Sequence, residues 1–208
     1  MTFPDHETVQ LSEVECQPDL LPLFEQSSAK HRHLCPRQII GVRLGLAGAA
    51  ALGMAVPRRD KRMLVIVETD GCFISGVEAA TGCFPNRRTL RIVDYGRVAA
   101  TFINVKTEEA VRVAPQTDIR QKAWDYAKPG ERRRYFAMLT GYQVMPTAEM
   151  LSVERVRLTT AVRELISRPG VRVDCEQCGE EIINEREMIV GGKTVCRACG
   201  MPAYYELF

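Results

Sequence analysis

Two matching knuckles near the C-terminus, Cys175-Glu176-Gln177-Cys178-Gly179 and Cys196-Arg197-Ala198-Cys199-Gly200, constrain this chain more than any other feature. Each Cys-x-x-Cys puts two thiols on one turn, and seventeen residues separate the pairs, a spacing expected of a zinc-ribbon or treble-clef-like module. So short a segment has too little apolar surface to fold alone. A tetrahedral Zn²⁺ on Cys175, Cys178, Cys196 and Cys199 supplies the missing free energy. Four thiolates leave no open coordination position, so the expected zinc is structural; rubredoxin-like iron or a redox dithiol are the other uses of such a set. Gly179 and Gly200, directly after the pairs, can take the left-handed conformation that turns amides towards the thiolates. Arg168-Pro169-Gly170 reads as the linker, dividing a core domain at 1–168 from a four-cysteine module at 169–208.

The 208 residues, 46% hydrophobic and 26% charged, suit one good core plus that small module. A net charge of +2 gives no electrostatic case for nucleic acid or an anionic membrane as partner. The knuckles also carry Glu176, Glu180 and Glu181, unlike a phosphate-binding surface. The basic clusters Arg58, Arg59, Lys61, Arg62 and Arg132, Arg133, Arg134 read as solvated faces. The N-terminus lacks the pattern of a secretory signal and no window is long enough for a membrane span. The eight cysteines then read as metal ligands or reduced thiols, with disulfides the minority option.

Residues 1–27 contain an amphipathic fragment, with Val14, Leu20, Leu21, Leu23 and Phe24 as core contacts. A helix is expected from Pro36 to about Gly53. Its Gly41, Gly45 and Gly48, among Ala47, Ala49 and Ala50, each cost roughly 1 kcal/mol against alanine, so a closely approaching sheet, subunit or ligand must offset them. The β-branched run 63–69 reads as a buried strand ended by Asp70-Gly71, and Cys72 opens a short helix stopped by Gly82. Runs at 89–94, 98–106 and 110–114 read as hairpin-connected strands, turning at Tyr95-Gly96 and at Thr107-Glu108-Glu109, with Leu90, Ile92, Phe102, Val105, Val111 and Val113 inward. Helices at 118–128 and 130–141, a strand at 151–158 and a last helix to Ser167 complete an α+β core with a mainly antiparallel sheet packed with helices.

The chemistry concentrates in His31-Arg32-His33-Leu34-Cys35-Pro36. Pro36 suits the first helical position, so Cys35 falls at the N-cap, where free amides and the helix dipole favour the thiolate. His31 and His33 offer soft nitrogen ligands just upstream, although histidines before a helix also serve only to cap or hydrogen-bond. Cys72 lies at a second helix start. The expectation is that His33, Cys35 and Cys72 meet in one pocket, with His31 as fourth ligand or supporting group. Three such ligands leave a position for water or substrate, making Cys35 or Cys72 a candidate nucleophile and His31 or His33 a candidate base. Glu68, at the end of the strand entering the pocket, is a candidate acid/base or the partner of an arginine. Cys83, at the far end of the short helix, reads as a packed core thiol.

Several motifs together resemble the FmdE family, the E-type component of formylmethanofuran dehydrogenase: the His31 to Pro36 string leading into Gly41-Val42-Arg43-Leu44-Gly45, then Cys72, Thr81-Gly82-Cys83, Asp94-Tyr95-Gly96, Thr101-Phe102 and Ala110-Val111-Arg112-Val113. The likeness runs from about residue 28 to the C-terminus. Members usually have glycine where this chain has Arg32 and Arg37, and aspartate where it has Ser75. The resemblance implies a bacterial or archaeal cytoplasmic homodimer and a metal-binding accessory or regulatory protein. Its core pocket would hold a second zinc or other transition metal, and its module would dock on a protein partner. The other reading is a metal- or thiol-dependent enzyme for a small anionic substrate at the same pocket, with Arg32 and Arg37 adding positive charge at the rim.

Overall fold

The computed structural model describes residues 20–29 and 31–206. They divide into two compact units between Leu158 and Thr159. The first unit begins with α1 (Leu21–Ser28), α2 (Pro36–Ala51), β1 (Met63–Val67) and α3 (Cys72–Thr81). It continues through β2 (Leu90–Ile92), β3 (Ala100–Asn104), β4 (Ala110–Pro115), α4 (Ile119–Lys122), α5 (Arg134–Val144), α6 (Thr147–Met150) and β5 (Leu151–Val156). The strands form one sheet in the order β2-β1-β3-β4-β5, parallel between β1 and β2 and antiparallel elsewhere. This is the α+β arrangement expected from the sequence.

One expected hairpin is absent. Instead of pairing with β3 across Tyr95-Gly96, β2 lies parallel on the outer side of β1, with Leu90 opposite Val65 and Ile92 opposite Val67. The reason lies in the backbone donors after β2. The Val93 amide bonds the Val67 carbonyl, and those of Tyr95 and Arg97 bond the Glu68 carbonyl, so the chain wraps around the end of β1 and β3 enters on its other side. Ile92, expected inward, is 47% exposed on that edge. The expected helix at 118–128 is α4 followed by a 3-10 turn over Ala123–Tyr126, and α5 starts only at Arg134, after Gly130 in a left-handed turn. Of the expected N-terminal contacts, Leu20 and Phe24 are buried, while Val14 lies outside the described residues.

The glycines of α2 meet a helix and the sheet. A Cβ on Gly41 would strike the Phe73 carbonyl and the Gly76 Cα, and one on Gly76 would strike the Gln38 carbonyl. The backbones of α2 and α3 therefore touch, and Gly48 lies against the Phe102 ring. Burial of Ile39, Leu44, Phe73, Val77 and Phe102 around this crossing, all nearly inaccessible, offsets the helical cost of the glycines. Because the crossing lies in the first turns of both helices, it sets their N-termini side by side.

The second unit carries α7 (Val162–Ile166), the antiparallel pairs β6 (Arg172–Asp174) with β7 (Glu181–Ile183) and β8 (Met188–Val190) with β9 (Lys193–Val195), and α8 (Arg197–Gly200). Cys175, Ile182 and Val195 are its buried centre, with Val173 and Met188 packed on them. A cluster of three buried side chains is too small to hold a fold by apolar burial alone. Among the described residues no helix is long and apolar enough to cross a membrane.

Candidate metal centre

In the second unit the ligand atoms of Cys175, Cys178, Cys196 and Cys199 all lie within 4.8 Å of one another. The Cys178 and Cys196 sulfurs are 3.9 Å apart. Cys175 leads into its knuckle with its sulfur accepting the Cys196 amide at 3.2 Å. Amides of Cys178 and Cys196 hold its thiol down to about 6, whereas a hydrogen bond with Cys196, burial and the other thiols push Cys199 up to about 12. Four clustered sulfurs cannot all ionise beside one another without a cation, and tetrahedral zinc resolves that conflict. Gly179 has the expected left-handed φ of +78°. Gly200 does not: it ends α8, where a Cβ would come within 3.2 Å of Met188 Sδ and Val195 Cγ2, so glycine serves close packing there.

In the first unit, Cys35 is the N-cap of α2 and Pro36 its first residue. The Gln38 side chain accepts the Cys35 amide at 2.7 Å and donates to the Ser27 carbonyl at 2.8 Å, pinning the loop between α1 and α2. Cys72 opens α3 after Gly71. The Cys72 thiol is near enough to Cys35 to raise its pKa, and His31 Nδ1 lies 4.0 Å from Cys72 Sγ. His31 Nε2 is 2.9 Å from Ser75 Oγ. The imidazole beside Cys72 is thus His31; His33 is half-buried in the same loop. No trio from His31, His33, Cys35 and Cys72 has all its ligand atoms within 4.8 Å, a convergence that among the described residues is reached by the four C-terminal cysteines.

The expected thiolate at Cys35 is overturned by burial. Burial pushes the thiol up to about 11 from its ordinary 9.0, the Cys72 sulfur adds to the rise, and the amides of Gln38 and Arg37 do not compensate. Cys83 is a buried core thiol, 1% exposed, donating to the Met63 carbonyl at 3.7 Å. Glu68 is buried as the partner of arginines: Arg112 donates to it from Nε at 2.7 Å and Nη2 at 2.9 Å, and Arg97 Nη2 lies 2.9 Å away. Those cations hold its carboxyl below the ordinary 4.5.

A cavity of about 390 Å³ opens beside Cys35, lined also by Arg37, Arg120, Arg134, Tyr135 and Tyr142. Of these, the sequence singled out Arg37 as a departure and Arg134 as part of a solvated cluster. Arg120, Tyr135 and Tyr142 carry no local signal, because nothing in their own segments points to a residue contributed by α2.

Comparison with known proteins agrees with this division. A model of the prokaryotic dksA/traR C4-type zinc finger matches residues 169–205. A protein of Archaeoglobus fulgidus named a probable S-adenosyl-L-methionine-binding protein is 33% identical over 104 residues, which are 49% of this chain and 28% of that protein, so the chain corresponds to less than a third of that relative's length. A crystal structure of a tungsten formylmethanofuran dehydrogenase FmdE-like protein from Syntrophus aciditrophicus shares the fold, with a TM-score of 0.55 at 21% identity over 88% of this chain and 92% of that one. The family model described as FmdE, molybdenum formylmethanofuran dehydrogenase operon, matches residues 30–160, well over half of the chain, and the protein therefore belongs to the FmdE family.

Proposed function

We propose that this FmdE-family protein is a metal-binding accessory or regulatory protein that carries a soft divalent ion in its core pocket as well as structural zinc in its C-terminal module. The observation that carries the reading is the thiol pair of Cys35 and Cys72 at two adjoining helix starts, with His31 Nδ1 4.0 Å from Cys72 Sγ. Two sulfurs and an imidazole suit zinc or a neighbouring late first-row ion by softness. Cys35, Cys72 and His31 would hold it, and its Lewis acidity would favour loss of the Cys35 proton against the burial that raises that thiol. Ser75 on the far ring nitrogen of His31 is the kind of outer partner that orients a ligating histidine.

An enzyme using a free nucleophilic thiol at the same pocket has less support. Burial raises the Cys35 thiol above its ordinary range, and Glu68 is committed to Arg112 and Arg97. The test is metal content after purification without added metal. The wild-type chain should carry two equivalents, Cys35→Ser one with the C-terminal unit intact, and Cys196→Ser one with that unit opened to protease. A wild-type protein with one equivalent, unchanged by Cys35→Ser, would overturn the core site.

A further inference from the structure

The cavity beside Cys35 is built by elements far apart in sequence: Cys35, Arg37 and Ile40 from the first turns of α2, Val98 from the approach to β3, Arg120 from α4, and Arg134 and Met138 from α5. Its volume of about 390 Å³ falls in the range of small-molecule sites.

Its charge is one-sided, since three guanidinium groups line it and no carboxylate does. Nearby cations are already matched: Arg112 and Arg97 serve Glu68, Lys122 pairs with Asp118, and Arg133 pairs with Glu131. Arg37, Arg120 and Arg134 have no acidic partner among the described residues. Arg120 and Arg134 line the cavity together with Tyr142, and their fields oppose the burial that pushes the Tyr142 hydroxyl up to about 12. Three like charges brought to one concavity repel one another, and a bound anion relieves that repulsion with charge-assisted hydrogen bonds. The remaining lining, Ile40, Val98 and Met138 with the rings of Tyr135 and Tyr142, is apolar and partly aromatic. Such walls exclude a free inorganic anion in favour of one with a flat or branched apolar body.

We infer that this cavity is a binding site for a small organic anion, a carboxylate or phosphate head held by Arg37, Arg120 and Arg134 on an apolar or aromatic body lying against Tyr135 and Tyr142. The site goes beyond the metal reading: Cys35 is the one residue the two share, since neither Cys72 nor His31 lines the cavity and the three arginines are outside the proposed ligand set.

Calorimetric titration of the full chain, purified with its metal, tests the assignment with three probes of similar size: 4-phenylbutyrate, phenyl phosphate and the neutral 4-phenylbutan-1-ol. At least one anion should bind in the cavity at least about tenfold tighter than the alcohol, and whichever anion binds better identifies the head group. Arg120→Gln with Arg134→Gln should weaken that anion about tenfold or more, whereas Arg157→Gln, an exposed arginine outside the lining, should leave it unchanged. Met138→Trp, which fills the cavity and keeps all three arginines, should abolish binding and remains informative if the double variant does not fold. Metal content should be unaltered in these variants, separating this result from the core-metal test. Failure of both anions to bind at millimolar concentration, equal binding of the alcohol, or wild-type affinity in Met138→Trp would overturn the site.

Discussion

Ser75 Oγ lies 2.9 Å from His31 Nε2, joining residues 44 apart in sequence. The serine is where the resembled family usually has an acid, and it sits on the ring whose other nitrogen faces Cys72. A carboxylate there would make the imidazole a more basic ligand than a neutral hydroxyl does. Ser75→Asp should therefore raise the affinity of the core pocket for Zn²⁺ by about tenfold, and Ser75→Ala should lower it by about tenfold, both read by competition with a chromophoric chelator. Equal affinity in all three proteins would remove Ser75 from the site.

Gly76→Ala should cost about 3 kcal/mol of stability, because its Cβ meets backbone of α2 that cannot step aside. It should also lower core metal content by moving Cys72 away from Cys35. Ala50→Gly, at an exposed position of α2, should cost about 1 kcal/mol and leave metal content alone. Denaturant unfolding with metal analysis checks both. A Gly76→Ala protein as stable as wild type would contradict the close crossing.

Glu68 gives the first unit an acid-sensitive component. Its native pKa lies below the ordinary 4.5 because Arg112 hydrogen-bonds the carboxylate, so its contribution is fully present above about pH 4.5 and is lost as the pH falls through the native value. Glu68→Gln should destabilise the unit by about 2–3 kcal/mol at pH 7, less than a fully buried pair because Arg97 is 59% exposed. The variant should also show a shallower fall of stability below pH 4.5. Thermal melts across pH 3 to 7 measure this, and parallel curves for the two proteins would refute it.

We propose that the protein is a homodimer, with the outer edge of β2, where Ile92 and Tyr95 are exposed, as a surface for a second copy. Light scattering at micromolar concentration should give a mass near twice 23.4 kDa. The monomer mass would reject it.

The amino-acid sequence by itself determined what is decided within a turn or two of chain. Cys-x-x-Cys places both thiols of a knuckle on one turn, so the C-terminal cluster of Cys175, Cys178, Cys196 and Cys199 was legible from spacing. Pro36 after Cys35 and Gly82 after Thr81 set a helix start and a helix end by their own backbone preferences, and α2 and α3 begin and stop there. Tertiary structure decided which of these local pieces meet. The Gly41–Gly76 contact brings Cys35 to Cys72, and backbone bonds to the end of β1 send β2 to the outer edge. The cavity draws its arginines from α2, α4 and α5. Burial likewise reversed the local expectation at Cys35: the amides of the helix start favour a thiolate, but the surroundings that remove water from the sulfur come from elsewhere in the chain, and desolvation is the larger effect.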